Sequence, residues 1–223
     1  MKVVSSNAFR EAFVALAPLF ERAGGGKVEV QFIGGAELLK RLRAGEPADL
    51  AILQASSIDE LINLGKLVAG SRTDLARSGI GAAVRAGAPK PDLRTGGSLQ
   101  RALRAAKSIA VSSGPSGVYL LGLFERLGIA KEKITQTAPG VAAAGLVAKG
   151  EVEIGFQQLS EILPVAGVDY AGALPPEVQH YTVFSGGLHA EAKDPEAAKA
   201  LMRFLASPEA SRTVTEKGME QIR

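Results

Sequence analysis

VVSSNAFREAFVALAPLFERAGGGKVEVQFIGGAELLKRLRAGEPADLAIL, residues 3–53, decides how this chain folds. A short strand over Lys2–Ser5 runs into a helix over Ala8–Ala23, where Phe9, Phe13, Leu16 and Phe20 recur at spacings of three and four and form one inward stripe. Asn7 is placed to cap that helix, and Gly24–Gly26 ends it. Val28, Val30 and Phe32 then alternate along a strand over Lys27–Ile33, and Gly34–Gly35 leads into a helix over Ala36–Ala44 that stops at Gly45 and Pro47. A strand at Leu50–Leu53 and a helix over Ser57–Leu64 complete three strand–helix units within 67 residues. Runs such as LAIL are apolar at every position, which suits strands covered on both faces. A parallel sheet flanked by helices is the arrangement that buries them.

The same rhythm continues. Strands are expected around Ile80–Val84, Ser108–Val111, Ile134–Thr137, at EIGFQQ (153–158), and over Val165–Tyr170 and Tyr181–Ser185. Helices are expected over Leu99–Ala105, Val118–Leu127, the segment around GVAAAGLVAKG (140–150), Pro195–Leu205 and Pro208–Lys217. Turn-rich stretches near 85–98 and 172–180 bracket a middle block with its own strand–helix units, and the last helices read as a return to the opening block. The expected organisation is a two-lobed α/β fold with parallel-rich sheets and a ligand cleft between the lobes. Residues 1–79 and 186–223 would form lobe 1 and residues 80–185 lobe 2.

Composition narrows the chemistry. The 223 residues contain no Cys and two His, which excludes thiolate zinc sites, iron–sulfur clusters, cysteine nucleophiles and a three-histidine metal site. No cofactor and no metal are expected. The net charge of +3 is spread along the chain without a basic run, and three Tyr and eight Phe give little material for base stacking, so no nucleic acid partner is expected. No stretch reaches 18 apolar residues, and the opening segment is not a signal peptide. The chain is periplasmic if it is a mature form, with a cytoplasmic place left open. A monomer is expected.

The turns carry the site chemistry. A helix start presents unpaired N–H groups and a partial positive charge, which favour an anion. Several strand-to-helix turns here are built from Gly and Ser: Ser5–Ser6–Asn7, Gly34–Gly35–Ala36 and SSGPSG (112–117), with Ser112, Ser113 and Ser116 as hydroxyl donors. Each of these can also be a plain cap or a tight turn. SSGPSG lacks the ending of a nucleotide phosphate loop. Gln157 and Gln158 follow EIGF at a strand end; their side chains point to opposite faces, so one is structural and the other faces the ligand. A multiply charged carboxylate also needs cations or several N–H donors. Arg77 and Arg10 are the candidates, while Arg41, Arg43, Arg101 and Arg104 read as surface residues.

The turns VVSSNAFREAF, FIGGAELLKRLRAGEPADLAIL, IAVSSGPSGVYLLGLFERLG, GVAAAGLVAKGEVEIGFQQLSEI and YTVFSGGLHAEAKDPEAAKALMRFLASPEA occur in the order found in type 2 periplasmic solute-binding proteins. The sequence resembles that family over its whole length, particularly its molybdate-binding members. The resemblance implies two lobes joined by crossing strands near 79–85 and 181–187. It implies a small anionic ligand, an oxyanion or an organic carboxylate, and an ABC transporter permease as partner. The implied ligand turns are Ser5–Asn7, Gly34–Ala36, Ser112–Ser116, Gly140–Ala142 with Val141 at the centre, and Gln157–Gln158, of which the family pattern favours Gln158. Two departures matter: Gly35 stands where molybdate binders offer a Ser hydroxyl, and Gln158 where many offer a Tyr. Amides and backbone N–H groups suit a planar carboxylate better than a tetrahedral oxyanion.

A branch that this sequence also resembles includes an aconitate isomerase, so an isomerase acting on an unsaturated tricarboxylate is the alternative. Such an enzyme needs an acid or base poised near neutrality. His180, His189 and Tyr119 are the residues to weigh, each of which also reads as a structural polar group. Glu151, Glu153 and Glu161 flank the EIGFQQ strand without forming a recognisable carboxylate pair.

Overall fold

The computed structural model describes residues 1–222 and falls into two compact units, Met1–Ser78 with the chain from Thr182 onward, and Gly79–Tyr181. The opening segment contains β1 (Lys2–Ser6), α1 (Arg10–Phe20), β2 (Glu29–Ile33), α2 (Gly35–Arg43), β3 (Leu50–Gln54), α3 (Ala55–Asn63) and the long β4 (Thr73–Arg85). Unit 2 follows with α4 (Gly96–Ala105), β5 (Ile109–Val111), α5 (Pro115–Arg126), β6 (Ile134–Gln136), α6 (Ala143–Lys149), β7 (Ile154–Gln158), α7 (Leu159–Ile162) and β8 (Val168–Ala173). The chain returns through β9 (Tyr181–Leu188) and ends with α8 (Pro195–Leu205), α9 (Pro208–Glu216) and β10 (Glu220–Gln221). The chain leaves unit 1 within β4 and re-enters it at Thr182 in β9 rather than at 186, because Phe184 and Ser185 pair with Gln54 and Leu53 of β3.

In unit 1 the strands lie in the order β2-β1-β3-β9, the first three parallel and β9 antiparallel. Both faces are covered, as the continuous apolar runs require. Val3, Leu50 and Ile52 pack with Phe9, Phe13, Leu16 and Phe20 of the first helix and with Leu201 and Leu205 of α8. Val4, Ala51 and Leu53 pack with Leu38 and Leu42 of α2 and Ile58 and Leu61 of α3. Each such fully buried large side chain contributes about 2 kcal/mol. The long helix expected from residue 8 is broken up: a 3₁₀ turn at Asn7–Phe9 precedes α1, and a widened turn at Glu21–Gly25 follows it. Asn7 therefore does not cap with its side chain; its Oδ1 accepts from Arg10 at 3.2 Å instead.

Unit 2 is ordered β8-β4-β7-β5-β6, with β5, β6 and β7 parallel and β4 antiparallel to β7 and β8. One face carries Ile80, Ala82, Val84 and Phe156 against α4 and α5. The other carries Ala83, Ala110 and Gly155 against α6 and Ile162 of α7. Among the described residues no helix is long and apolar enough to cross a membrane.

Unit 1 is built from two distant pieces of chain, and one carboxylate ties them. Buried Asp49 accepts the backbone N–H of Lys2 at 2.7 Å through Oδ2, and those of Lys193 and Asp194 at 2.6 and 3.1 Å through Oδ1. Burial pushes its carboxyl up, but the three N–H donors outweigh this and hold it below the usual carboxylate range. Its contribution to stability is therefore present above the ordinary carboxylate pKa and is lost as pH falls through the lower folded value. Asp49→Ala leaves three N–H groups unanswered and should cost about 3 kcal/mol. In a chain of this size that lowers Tm by roughly 6–12 °C, to be read by calorimetry at pH 7, with the gap between the two proteins narrowing in acid.

Candidate functional site

In unit 1 the parallel register brings three turns to one edge. Ser5 and Ser6 of β1 pair with Phe32 and Ile33 of β2, and Ser5 also pairs with Ile52 of β3. The C-terminal ends of these strands therefore lie side by side, with Ser6, Gly34–Gly35 and Gln54 at the edge. Ser5 is spent internally, its hydroxyl donating to the Ser6 carbonyl at 3.2 Å. Ser6 differs: it is 4% exposed and its Oγ has no hydrogen-bond partner among the described residues. A buried hydroxyl left unmatched costs free energy, so it marks a place where a ligand atom would be welcome. α2 begins beside it, and its first intrahelical bond runs from the N–H of Leu38 to the Gly34 carbonyl, which leaves the N–H groups of Gly35, Ala36 and Glu37 without an acceptor in that helix. A Cβ built at Gly35 meets nothing within 4 Å.

The cation at this edge is Arg10. Its guanidinium lies 4.5 Å over the Phe32 ring and donates to Asn7. Arg77, the other candidate cation, is engaged elsewhere: its Nε donates to Glu220 at 2.8 Å, where β10 pairs with β4. That antiparallel pairing was not legible because β10 is two residues long.

In unit 2 the parallel strands β5 and β7 again end together, Val111 pairing with Phe156. Beyond β5 the Ser112 and Ser116 hydroxyls are 3.0 Å apart. Gly117 makes this turn possible, since a Cβ there would lie 1.6 Å from the Ser112 carbonyl oxygen. Ser113 is half-buried on the same turn, and Val118 and Val141 are 65% and 43% exposed. The Val141 carbonyl accepts from Thr137 Oγ1 at 2.8 Å, which holds the turn before α6.

The two glutamines separate as their alternation requires. Gln158 pairs with Ile80 and so shares the face of α4 and α5, whereas Gln157 pairs with Gly81 and faces α6 and α7. Both are buried. Gln157 Oε1 accepts the backbone N–H of Ala144 at 3.1 Å, capping α6, while its Nε2 is buried without a partner. On the same face the Tyr170 ring and Ile162 close over Gly81, where a Cβ would stand 2.8 Å from the Tyr170 ring. Tyr170 was not singled out by sequence, because it lies outside any Gly or Ser turn.

The remaining acid–base candidates separate by place. Tyr119 donates to the Val178 carbonyl at 2.9 Å and stacks on His180 with ring centroids 4.6 Å apart. His189 is buried in unit 1 at the opposite end of β3 from the Ser6 edge, its N–H bonded to the Asp49 carbonyl. Burial pushes its imidazole below the usual range, helped by Lys66 and opposed by Glu191 and Asp49. Glu151 is exposed beside Lys149, and Glu153 accepts the Lys107 N–H at 2.7 Å. Glu161, in α7, is half-buried, and desolvation pushes its carboxyl up to about 7. Among the described residues no three His, Asp or Glu converge as a metal site.

A model of the bacterial extracellular solute-binding protein family matches residues 1–220. The chain belongs to that family. The chain is also similar to an aconitate isomerase of a Pseudomonas species, with 35% identity over 230 aligned positions covering all of this chain and 88% of that protein. Its fold is that of the type II periplasmic binding proteins. The periplasmic molybdate-binding protein of Azotobacter vinelandii superposes with a TM-score of 0.83 at 21% identity, each chain covered in full. The sulfate-binding protein of Mycobacterium tuberculosis gives 0.80 at 19%, covering 100% of this chain and 86% of that one.

Gly35 and Gly117 are glycines for opposite reasons, and substitution separates them. Gly117→Ala should cost about 3 kcal/mol through overlap with the Ser112 carbonyl, lowering Tm by roughly 10 °C. Gly35→Ser should leave Tm within about 1 °C, the scale of an unstrained surface change. Thermal unfolding of the two variants beside the parent checks both.

Proposed function

We propose that this chain is an isomerase of an unsaturated tricarboxylate of the aconitate type. The observation that carries the reading is the 35% identity to an aconitate isomerase along the whole chain. Each unit by itself carries donors of the kind that carboxylates take. Unit 1 offers the unmatched Ser6 hydroxyl, the open N–H groups of α2 and the Arg10 cation. Unit 2 offers the Ser112–Ser116 turn and the unmatched Gln157 amide, and it exposes the apolar side chains Val118 and Val141. Planar carboxylates take paired N–H and amide donors more readily than a tetrahedral oxyanion does. The reaction moves one proton: a methylene C–H beside a carboxylate is broken, the double bond shifts, and a proton returns at the far end of the three-carbon unit. It consumes no water and changes no oxidation state.

The second reading is capture of a small anion for an ABC transporter permease, favoured by the family description and by the likeness to anion-binding proteins. Membership of an extracellular protein family also supports a place outside the cytoplasm.

A nuclear magnetic resonance time course separates the two. Pure protein with trans-aconitate should accumulate the cis isomer until the two reach equilibrium; no conversion, with a thermal shift from molybdate or sulfate instead, would return the chain to solute capture. Ser6→Ala tests the site itself. Removing an unmatched buried hydroxyl should leave the unliganded Tm unchanged or raised, yet weaken the ligand by about tenfold, the worth of one hydrogen bond of about 1.4 kcal/mol.

A further inference from the structure

We infer that Arg10 is the residue by which unit 1 counts carboxylates: it takes one carboxylate of the substrate and so selects a tricarboxylate over dicarboxylates of the same skeleton. The inference rests on the isomerase reading above and adds to it the group that sets specificity.

Contacts on the page place the guanidinium at the Ser6 edge. Arg10 is the first residue of α1, and its side chain reaches back so that Nη2 donates to Asn7 Oδ1 at 3.2 Å. Asn7 directly follows Ser6, whose buried hydroxyl is unmatched among the described residues. The guanidinium carbon also lies 4.5 Å from the centroid of the Phe32 ring. Phe32 stands two residues ahead of Gly34, the residue that precedes α2. That ring is itself held edge-on by buried Phe13, with centroids 5.9 Å apart. An amide oxygen and a ring braced by the core thus fix the cation at the ends of β1 and β2, where Ser6 and the open N–H groups of α2 lie.

The surroundings leave this charge unspent. Among the described residues Arg10 makes no ion pair, whereas Arg41, Arg43, Arg72 and Arg77 of the same unit each hold a carboxylate. The hydrogen bond it does make goes to a neutral amide oxygen. Its position is electrostatically unfavourable as well, because a cation in the first turn of a helix sits at the positive end of the dipole. Asn7 gives its oxygen to Arg10 in place of capping the turn that it begins. An arriving carboxylate answers all of this. The Ser6 hydroxyl and the α2 N–H groups are neutral and serve any oxyanion, but a planar guanidinium offers the paired N–H groups that match the two oxygens of a carboxylate.

The test reads binding, so that Arg10 is judged apart from turnover. Apparent dissociation constants are taken from ligand-induced thermal shifts of the full chain. The ligands are aconitate, equilibrated with the protein, and mesaconate, itaconate and glutaconate, each of which lacks a different one of its carboxylates. The parent should prefer aconitate by about 10–100-fold over the analogue without the Arg10 partner, the worth of one charge-assisted hydrogen bond. Arg10→Gln should reduce that preference to within about threefold and leave the preferences over the other two analogues parental. A merely structural role would weaken every ligand together and keep all three preferences. Parental preferences throughout in Arg10→Gln therefore overturn the assignment and leave the isomerase reading intact, since conversion of trans-aconitate by the parent decides that reading. One preference lost in Arg10→Gln, with no conversion by the parent, supports Arg10 and overturns the isomerase reading alone. A parent that binds none of these ligands overturns both. If Arg10→Gln fails to fold, Arg10→Met, which keeps an unbranched stem beside Phe32, is read by the same criterion.

Discussion

Unit 1 depends on a carboxylate that never touches the Ser6 edge. Its sheet is assembled from the first 78 residues and from a strand that arrives more than a hundred residues later, so chain connectivity alone does not hold β9 and α8 in place. The ladder with β3 holds β9, and Asp49 ties the segment before α8 to the start of β1 by accepting N–H groups from Lys2, Lys193 and Asp194. At the other end of the sheet Ser6 pairs with Ile33, and α2 starts two residues later, at Gly35. The buried acid anchors one edge so that neutral donors can be presented at the other.

Much of the architecture was legible because the sequence writes it in local signals. The stripe of Phe9, Phe13, Leu16 and Phe20 and the run Leu50–Leu53 have no alternative reading once both faces of a strand must be covered, and all of them are buried. What was not legible is non-local. β4 extends back to Thr73, through a stretch with charges at Asp74 and Arg77 that break the apolar pattern and where β10 pairs with Ala76 and Arg77 from distant sequence. The helix over Leu99–Ala105 starts earlier, at Gly96, because Thr95 and Ser98 form a capping box that offsets two successive glycines.

The candidate turns were legible in the same way, since Ser and Gly before helices announce open N–H groups. The distinction among their side chains was not. Ser5 and Ser6 are adjacent and both buried, yet only the first finds a partner. Arg10 and Arg77 look alike in sequence, and their difference arises from Phe32 and Asn7 beside one and Glu220 beside the other. Glu161 could not be distinguished from Glu151 or Glu153 by spacing, because what separates it is desolvation by the surrounding fold.

That desolvated carboxyl bears on how one scaffold supports two kinds of chemistry. A protein that only holds an anion gains from N–H groups, hydroxyls and cations, and loses from any ionised acid near its ligand, since like charges repel strongly where water is excluded. A proton-transfer enzyme requires the opposite at one point: a group that is basic enough to accept a proton and is not neutralised by a cation that would fix it as a weak base. In unit 2 a neutral donor and a raised carboxyl sit on neighbouring elements. Gln157 spends its oxygen on α6 and keeps a neutral donor in reserve, while the neighbouring α7 carries an acid whose charge is suppressed by burial rather than by pairing. Pairing would have lowered the carboxyl; burial raises it, and only a raised carboxyl changes protonation state at neutral pH.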